Sequence, residues 1–288
     1  LSYMTQLQYL KIGPSNPRAR IRNTGQAVKH LSVHSPRLLT LHLNAITEFS
    51  DEDIADILEN ADILEELSLT NMRFGTNAVE SLCSNNPNLS RLSVCGSEIF
   101  QDIDLRCICT VCLHLVELTV QRCPLLTDGG FSRCAILRRL KKVDVSNCSN
   151  LTGTLFGCFG LCPLETLIVE GLHRISPRRD FERLSPVTTK SIKSLSLRNC
   201  DNANSEDISF ILAQFLNCLE LDFTGCRQLV KANILMKIKH SHPFLNLVID
   251  GVPVNRKFSA PIEHTTNYGG DTVTSLLDAK GTSVALSQ

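Results

Sequence analysis

A short apolar signature, Leu-x-x-Leu-x-Leu or a near variant, returns ten times along this chain at an almost constant step. It reads Leu7/Leu10/Ile12, Leu38/Leu41/Leu43, Leu64/Leu67/Leu69, Leu89/Leu92/Val94 and Leu115/Leu118/Val120. It continues as Leu140/Val143/Val145, Leu164/Leu167/Val169, Ile192/Leu195/Leu197, Cys218/Leu221/Phe223 and Phe244/Leu247/Ile249. The steps between central residues are 31, 26, 25, 26, 25, 24, 28, 26 and 26. A period of this length with this spacing is the signature of stacked supersecondary units rather than of one closed core.

Each unit divides in two. The signature alternates every second residue, as a short strand does, so three apolar side chains face inward and the intervening ones outward. The second half has helical spacing with start signals. Ser50-Asp51-Glu52-Asp53 precedes Ile54, Ile57, Leu58 and Ala61, and Ser205-Glu206-Asp207 precedes Ile208, Ile211, Leu212 and Phe215. In both, a serine hydroxyl can accept from an orphan amide of the first turn, and the acids suit the positive helix end. A helix is expected after Lys231 on the same plan (Ile234, Leu235, Ile238). A strand plus a helix of about ten residues is marginal alone in water, so stability must come from stacking. Strands inside and wider helices outside would curve the stack into a horseshoe, an α/β solenoid of about ten repeats.

Two steps depart from the rule. The first holds Pro14, Pro17 and the basic residues Arg18, Arg20 and Arg22, and a loop is expected there. The step of 28 holds Ser176-Pro177-Arg178-Arg179 and Ser185-Pro186, which are expected to break a helix and bulge outward. The signature stops near Asn255. Residues 1–255 therefore read as the solenoid and 256–288 as a C-terminal tail, largely disordered, with Val273 to Leu277 as a weak cap. Leu1 stands where an initiator Met would, which implies that upstream sequence has been removed.

Composition narrows the function classes. Twenty-nine Lys and Arg balance twenty-nine Asp and Glu, so no global field favours nucleic acid or an anionic membrane. Trp is absent, which leaves little for base stacking, and no run approaches the ~18 apolar residues of a membrane span. Thirteen cysteines are an odd number, several at one phase of the repeat. With no leader at the start of the chain, they read as buried reduced thiols of a cytoplasmic or nuclear protein.

Four of those cysteines fall three residues past a strand, where the chain turns and its buried polar groups need partners: Cys123, Cys148, Cys200 and Cys226. The turns read Val-Gln-Arg-Cys, Val-Ser-Asn-Cys, Leu-Arg-Asn-Cys and Phe-Thr-Gly-Cys, and other units carry Ile46, Met72, Ser97, Leu172 or Val252. A thiol is compact, tolerates burial and still donates weakly. Two turns continue into Leu-Thr, as Cys123-Pro124-Leu125-Leu126-Thr127-Asp128 and Cys148-Ser149-Asn150-Leu151-Thr152. Over roughly Leu7 to Val252 the chain resembles the cysteine-containing subclass of leucine-rich repeats, typical of F-box/leucine-rich-repeat proteins and of antagonist-of-mitotic-exit proteins. That resemblance implies repeats that capture a protein substrate. Ubiquitin-ligase scaffold subunits would dock only through an F-box upstream of this chain, which itself contains no F-box-like segment.

Cys107-x-Cys109-x-x-Cys112-x-His114 is the one constellation that suggests metal. It lies in a helical half, and no second ligand pair is evident, so its cysteines read as core residues and no metal is expected. Cys158 and Cys162 read the same way, and His240 and His242 as solvated. Arg138-Arg139-Leu140-Lys141-Lys142 would suit a phosphate, but the strand period sends these side chains to different faces. No phosphate-cradling loop or nucleophile elbow occurs, so neither cofactor nor enzyme activity is expected.

The concave sheet face remains. Alternation places His42, Asn44, Glu66, Arg91, Glu117 and Gln121 there, followed by Lys142, Asp144, Glu170, Arg198, Glu220, Asp222 and Asp250, with Lys11 at the start. Such residues serve solubility on any solenoid, or recognition, since concave faces are extended binding surfaces. Acids gather in the last units (Glu220, Asp222, Asp250), which points to a protein or peptide whose contacting face is locally basic. The leading expectation is the substrate-binding region of an F-box-type ubiquitin-ligase adaptor; the alternative is an F-box-free scaffold or inhibitor that sequesters a regulator.

Overall fold

The structure is a computed structural model that describes residues 5–13, 34–46, 48–229 and 245–249, and the backbone of 252–253, 264–268, 271–277 and 283–285. Among these, eleven strands form one open sheet in strict sequence order, β1 to β11. The first ten, from β1 (Tyr9–Ile12) through β2 (Thr40–Asn44), β3 (Glu66–Thr70), β4 (Arg91–Cys95) and β5 (Glu117–Gln121), are parallel. The series continues with β6 (Lys142–Asp144), β7 (Thr166–Ile168), β8 (Ser194–Ser196), β9 (Glu220–Asp222) and β10 (Asn246–Ile249). A short antiparallel strand, β11 (Val252–Pro253), closes the edge.

The register is the one the leucines specify. Leu10 pairs with Leu41, then Leu67, Leu92, Leu118, Val143, Leu167, Leu195, Leu221 and Leu247, each against the central residue of the next unit. Insertions between signatures are absorbed in the helical halves, so every apolar row stays on the inner side. From Leu41 to Leu247 these central residues are at most 2% exposed and belong to one continuous core. This is a leucine-rich-repeat fold, an open parallel sheet with helices on its other face.

Past each strand the chain turns through a left-handed residue at one fixed phase: Ala45, Asn71, Gly96, Arg122, Asn147, Gly171, Asn199 and Gly225 all have φ between 50° and 78°. That conformation sends the amide on to the next unit; Asn71, Gly96 and Arg122, for example, donate to the carbonyls of Cys95, Gln121 and Ser146 at 2.6, 2.8 and 3.1 Å. Asn and Gly occupy six of the eight positions because they tolerate this region best. One residue later the cysteines point inward. Cys148, Cys200 and Cys226 donate their S–H groups to the carbonyls of Val120, Val169 and Leu197, in each case at the strand end of the preceding unit, at 3.3, 3.1 and 3.0 Å.

The helical halves are locked in the same neighbour-to-neighbour manner. Asp51, at the start of helix Asp51–Glu59, accepts from the amides of Gly75 and Asn77, which begin the next unit's helix Thr76–Asn85. Asp102, at the start of helix Asp102–Val111, accepts from Thr127 N and Oγ1; Asp128 accepts from Thr152 N and Oγ1 and from Thr154 Oγ1. Thr127 and Thr152 also cap their own segments, accepting from Gly129 N and Thr154 N. The Leu-Thr-Asp part of the turn is therefore a relay of caps along the stack.

Three local expectations change. Ser50 caps its helix as its hydroxyl suggests, but the cap of helix Ser205–Gln214 is Asn204, one residue before the serine, because its side chain reaches both the Glu206 and Asp207 amides. Pro177 and Pro186 do not break helices; they begin the short helices Pro177–Asp180 and Pro186–Ser191, where proline's missing N–H costs nothing. The second halves of two middle units, Asp128–Ile136 and Gly153–Phe159, are 3₁₀ segments, consistent with the helix-weakening glycines at 129, 130, 153 and 157. The basic loop at Arg18 to Arg22 and the helix after Lys231 lie outside the described residues. Within 256–288, expected as tail or weak cap, strands His264–Tyr268, Asp271–Leu277 and Ser283–Ala285 pair antiparallel in a separate sheet.

Gly153 is required sterically: a Cβ there would overlap the carboxylate of Asp180, which is 2% exposed and holds Ser176 N and Arg179. Nothing lies within 4 Å of a Cβ built on Gly157, in the same segment. Gly153→Ala is expected to cost about 1–3 kcal/mol by overpacking, whereas Gly157→Ala should be neutral or stabilising by up to ~1 kcal/mol. Urea unfolding of the two variants side by side checks this contrast.

Candidate functional site

The strands present three side-chain rows to the concave side: the residues before, after and three after each central position. The structure brings twelve of the thirteen expected residues onto this face in repeat order; Asp250 lies outside the described residues. Many of them touch their neighbours across the strands. Glu66 bridges His42 Nε2 at 2.8 Å and Arg91 at 2.7 Å, and the His42 ring meets Tyr9 edge-on at 5.5 Å. Lys142 lies 3.3 Å from Glu117, and Asn44 pairs in register with Thr70. Gln121 donates to Asp144 Oδ2 at 2.6 Å, and Ser196 donates to Glu170 at 2.8 Å.

Two expected recognition carboxylates are committed to the turn. Asp144 is 7% exposed and accepts from Ser146 N and Oγ at 3.0 and 2.5 Å. Asp222 accepts from Thr224 N and Oγ1 at 2.8 and 2.6 Å, with Arg198 at 3.9 Å. Both hold the strand end as an Asx turn does. Glu220 differs: it is exposed and has no ion-pair partner among the described residues. The charge-based reading also passed over a belt of hydroxyls, Ser68, Ser93 and Thr119, in register at the middle of the face. Their signal was the same alternation that located the charged residues.

The carboxylates here are tuned by their neighbours. Burial pushes Glu66 up, but Arg91 and His42 together outweigh it and hold the carboxyl below its ordinary value. At the edge of the sheet, hydrogen bonds from Lys141 and Lys193 (2.8 and 2.6 Å) hold Glu165 down to about 2. Both carboxylates thus favour the fold above the unfolded carboxylate range and lose that contribution as pH falls through their depressed folded values.

The thiols show the opposite tendency. Burial raises Cys200 and Cys162 to about 12 and Cys107 to about 11, so they are protonated at neutral pH. None of the thirteen cysteines is in a disulfide. Cys107 Sγ lies 3.5 Å from Cys83 and Cys109 Sγ 3.6 Å from Cys134, on neighbouring repeats, while Cys112 donates to the Asn86 carbonyl. Among the described residues no group of three or more His, Cys, Asp or Glu is arranged to hold a metal ion. No described helix is long and apolar enough to cross a membrane. The basic run divides: Lys142 lies on the concave face, while Arg138, Arg139 and Lys141 lie along the edge where the strands begin.

No family profile matches the sequence. Solved structures match the fold. Rad7 of yeast, crystallised in complex with Elc1, is 18% identical with a TM-score of 0.54, over 85% of this chain and 69% of Rad7. An internalin, InlF of Listeria monocytogenes, is 17% identical with a TM-score of 0.53, over 86% of this chain and 68% of its own. TLR13, crystallised with a single-stranded RNA, is 14% identical with a TM-score of 0.55, over 85% of this chain but 33% of its own. At these identities the likeness is one of fold.

Replacing Lys141 and Lys193 together by Met should return the Glu165 carboxyl toward its ordinary value of 4.5, read by NMR titration of the side-chain carbon. A carboxyl that stayed near 2 would show that the two lysines do not hold it.

Proposed function

We propose that this chain is a non-catalytic protein-recognition module, the substrate-binding repeat region of an F-box-type ubiquitin-ligase adaptor acting in the cytoplasm or nucleus. The observation that carries the reading is the cysteine turn itself. The Cys-x-x-Leu-Thr-Asp pattern is a working structural unit, with Cys148 on the Val120 carbonyl and Asp128 on Thr152, and the subclass it resembles is characteristic of such adaptors. The similar fold of Rad7 in complex with Elc1 gives a precedent for this architecture inside a multiprotein assembly. Thirteen cysteines without a disulfide among them accord with a reducing compartment.

Protein fits the concave face better than nucleic acid, although the TLR13 structure holds RNA. Six acids (Glu66, Glu117, Asp144, Glu170, Glu220 and Asp222) outnumber the cations Lys11, Arg91, Lys142 and Arg198 on this face, so it offers no net positive surface for backbone phosphates. Substrate contact is assigned to the hydroxyl belt and to Glu220, whose exposed carboxylate, without an ion-pair partner among the described residues, favours a basic side chain. The upstream F-box, if joined to this chain, would supply the scaffold contact.

Affinity purification of the full-length protein with mass spectrometry tests this. Cullin-scaffold subunits should be recovered with a substrate protein, and Glu220→Lys should lower substrate recovery at least threefold while scaffold recovery holds. Asp222 is unsuitable for this purpose, since its reversal would open the Thr224 turn. Recovery of a regulator without scaffold would favour a sequestering protein, and recovery of neither would overturn both readings.

A further inference from the structure

Where the chain enters each strand, five neighbouring repeats form a rim separate from the concave face. Backbone hydrogen bonds fix its order: Lys141 N donates to Val116 O at 2.8 Å, Glu165 N to Lys141 O at 2.7 Å, Lys193 N to Glu165 O at 2.8 Å and Leu219 N to Lys193 O at 2.7 Å. The residues just upstream in each unit extend the same pattern, with Leu113, then Arg138 and Arg139, then Leu161, then Lys190, then Leu216. At the position these bonds fix, the row reads Val116, Lys141, Glu165, Lys193 and Leu219, so cations flank a single acid and the last unit is apolar.

Its apolar members are uncovered. Leu216 is 70% exposed, Leu219 50% and Leu161 45%. Single exposed leucines are ordinary, but here two of them border one cavity of about 510 Å³, shared with Pro163, Lys190, Lys193 and Glu165. Charge is one-sided as well. Five exposed cations face one carboxylate, Glu165, which already accepts from Lys141 and Lys193. Lys190 and Arg138 have no carboxylate partner among the described residues, and Arg139 donates to His114 Nδ1 at 3.0 Å rather than to an acid. The rim thus has an unspent positive potential around an open apolar cleft.

We propose that this rim docks an acidic protein segment bearing large aliphatic side chains. An aliphatic group enters the cavity between Leu216 and Leu219, and acids on the side of the preceding repeats meet Lys190, Lys193 and Arg138. The step between strands is about 4.8 Å. That is close to the rise of one helical turn, about 5.4 Å, and shorter than the same-face step of an extended chain, about 6.8 Å. A helix that carries acids one or more turns before an aliphatic residue therefore matches the order of the cations and leucines. An anionic bilayer matches less well, because Glu165 stands in the middle of the row and the row is only a few side chains deep. This surface is independent of the concave face and does not rest on the adaptor reading.

The test is selection from a random peptide display library on the immobilised chain, followed by fluorescence anisotropy of the enriched peptides. Enriched sequences should combine Asp or Glu with Leu, Ile or Phe at helical spacing. Their affinity should fall at least tenfold in Lys190→Glu/Lys193→Glu and at least fivefold in Leu216→Ser/Leu219→Ser. It should fall with added salt and be unchanged in Ser93→Ala, on the concave face several repeats away, with circular dichroism confirming that each variant is folded. Enrichment of no acidic-aliphatic peptide, equal binding by the rim variants, or loss in Ser93→Ala alone would overturn the proposal. So would tighter, rim-dependent binding to phosphatidylserine vesicles than to any selected peptide.

Discussion

Among the described residues, no repeat satisfies all of its own buried polar groups; each depends on the unit beside it. A strand edge, a turn and a helix start all leave amides or carbonyls without partners. Here the strand amides go to the next strand, the left-handed turn residue donates onward, and the turn cysteine donates backward. The aspartate at a helix start caps the helix that follows. Together with the stacked central leucines, these contacts make adjacent pairs, rather than single repeats, the stable element.

This mutual dependence is what makes the surfaces usable. The sheet face is held in register along the described strands, so side chains far apart in sequence stand at fixed spacings, as Glu66 does between His42 and Arg91. Most concave charges are consequently paired with a neighbour or a turn, and the face presents hydroxyls and few free charges. The rim lies at the other end of the same side-chain order. Its lysines crowd one carboxylate, and its leucines are exposed. Surface ion pairs of this kind are worth little on their own, so an incoming acid can compete for the same lysines at small cost.

Much of this was legible in the sequence, because the apolar spacing dictates which residue pairs with which. Leu67 against Leu92 and Leu195 against Leu221 follow directly from the signature. The Asn and Gly residues just before the cysteines, at 147, 199 and 225, also carried a readable signal for a left-handed turn. What the pattern did not contain was competition for hydrogen bonds. Alternation correctly sent Asp144 and Asp222 to the concave side, but it does not reveal that the amides two residues on would claim their carboxylates. In the same way, a serine at the right place suggested the helix cap at 205, and the better-placed Asn204 took it. The rim was hidden because each unit contributes only two or three of its members, three or four residues apart, and they meet only across units.

The interdependence of neighbouring repeats is tested most directly at Asp128, by hydrogen exchange read by mass spectrometry on the Asp128→Ala variant. That carboxylate holds Thr152 N and Thr154 Oγ1 of the following repeat. If stability lies between repeats, protection should fall first and most over Thr152–Phe159, ahead of the variant's own segment Asp128–Ile136. Loss confined to Asp128–Ile136, with the following repeat as protected as before, would contradict the account.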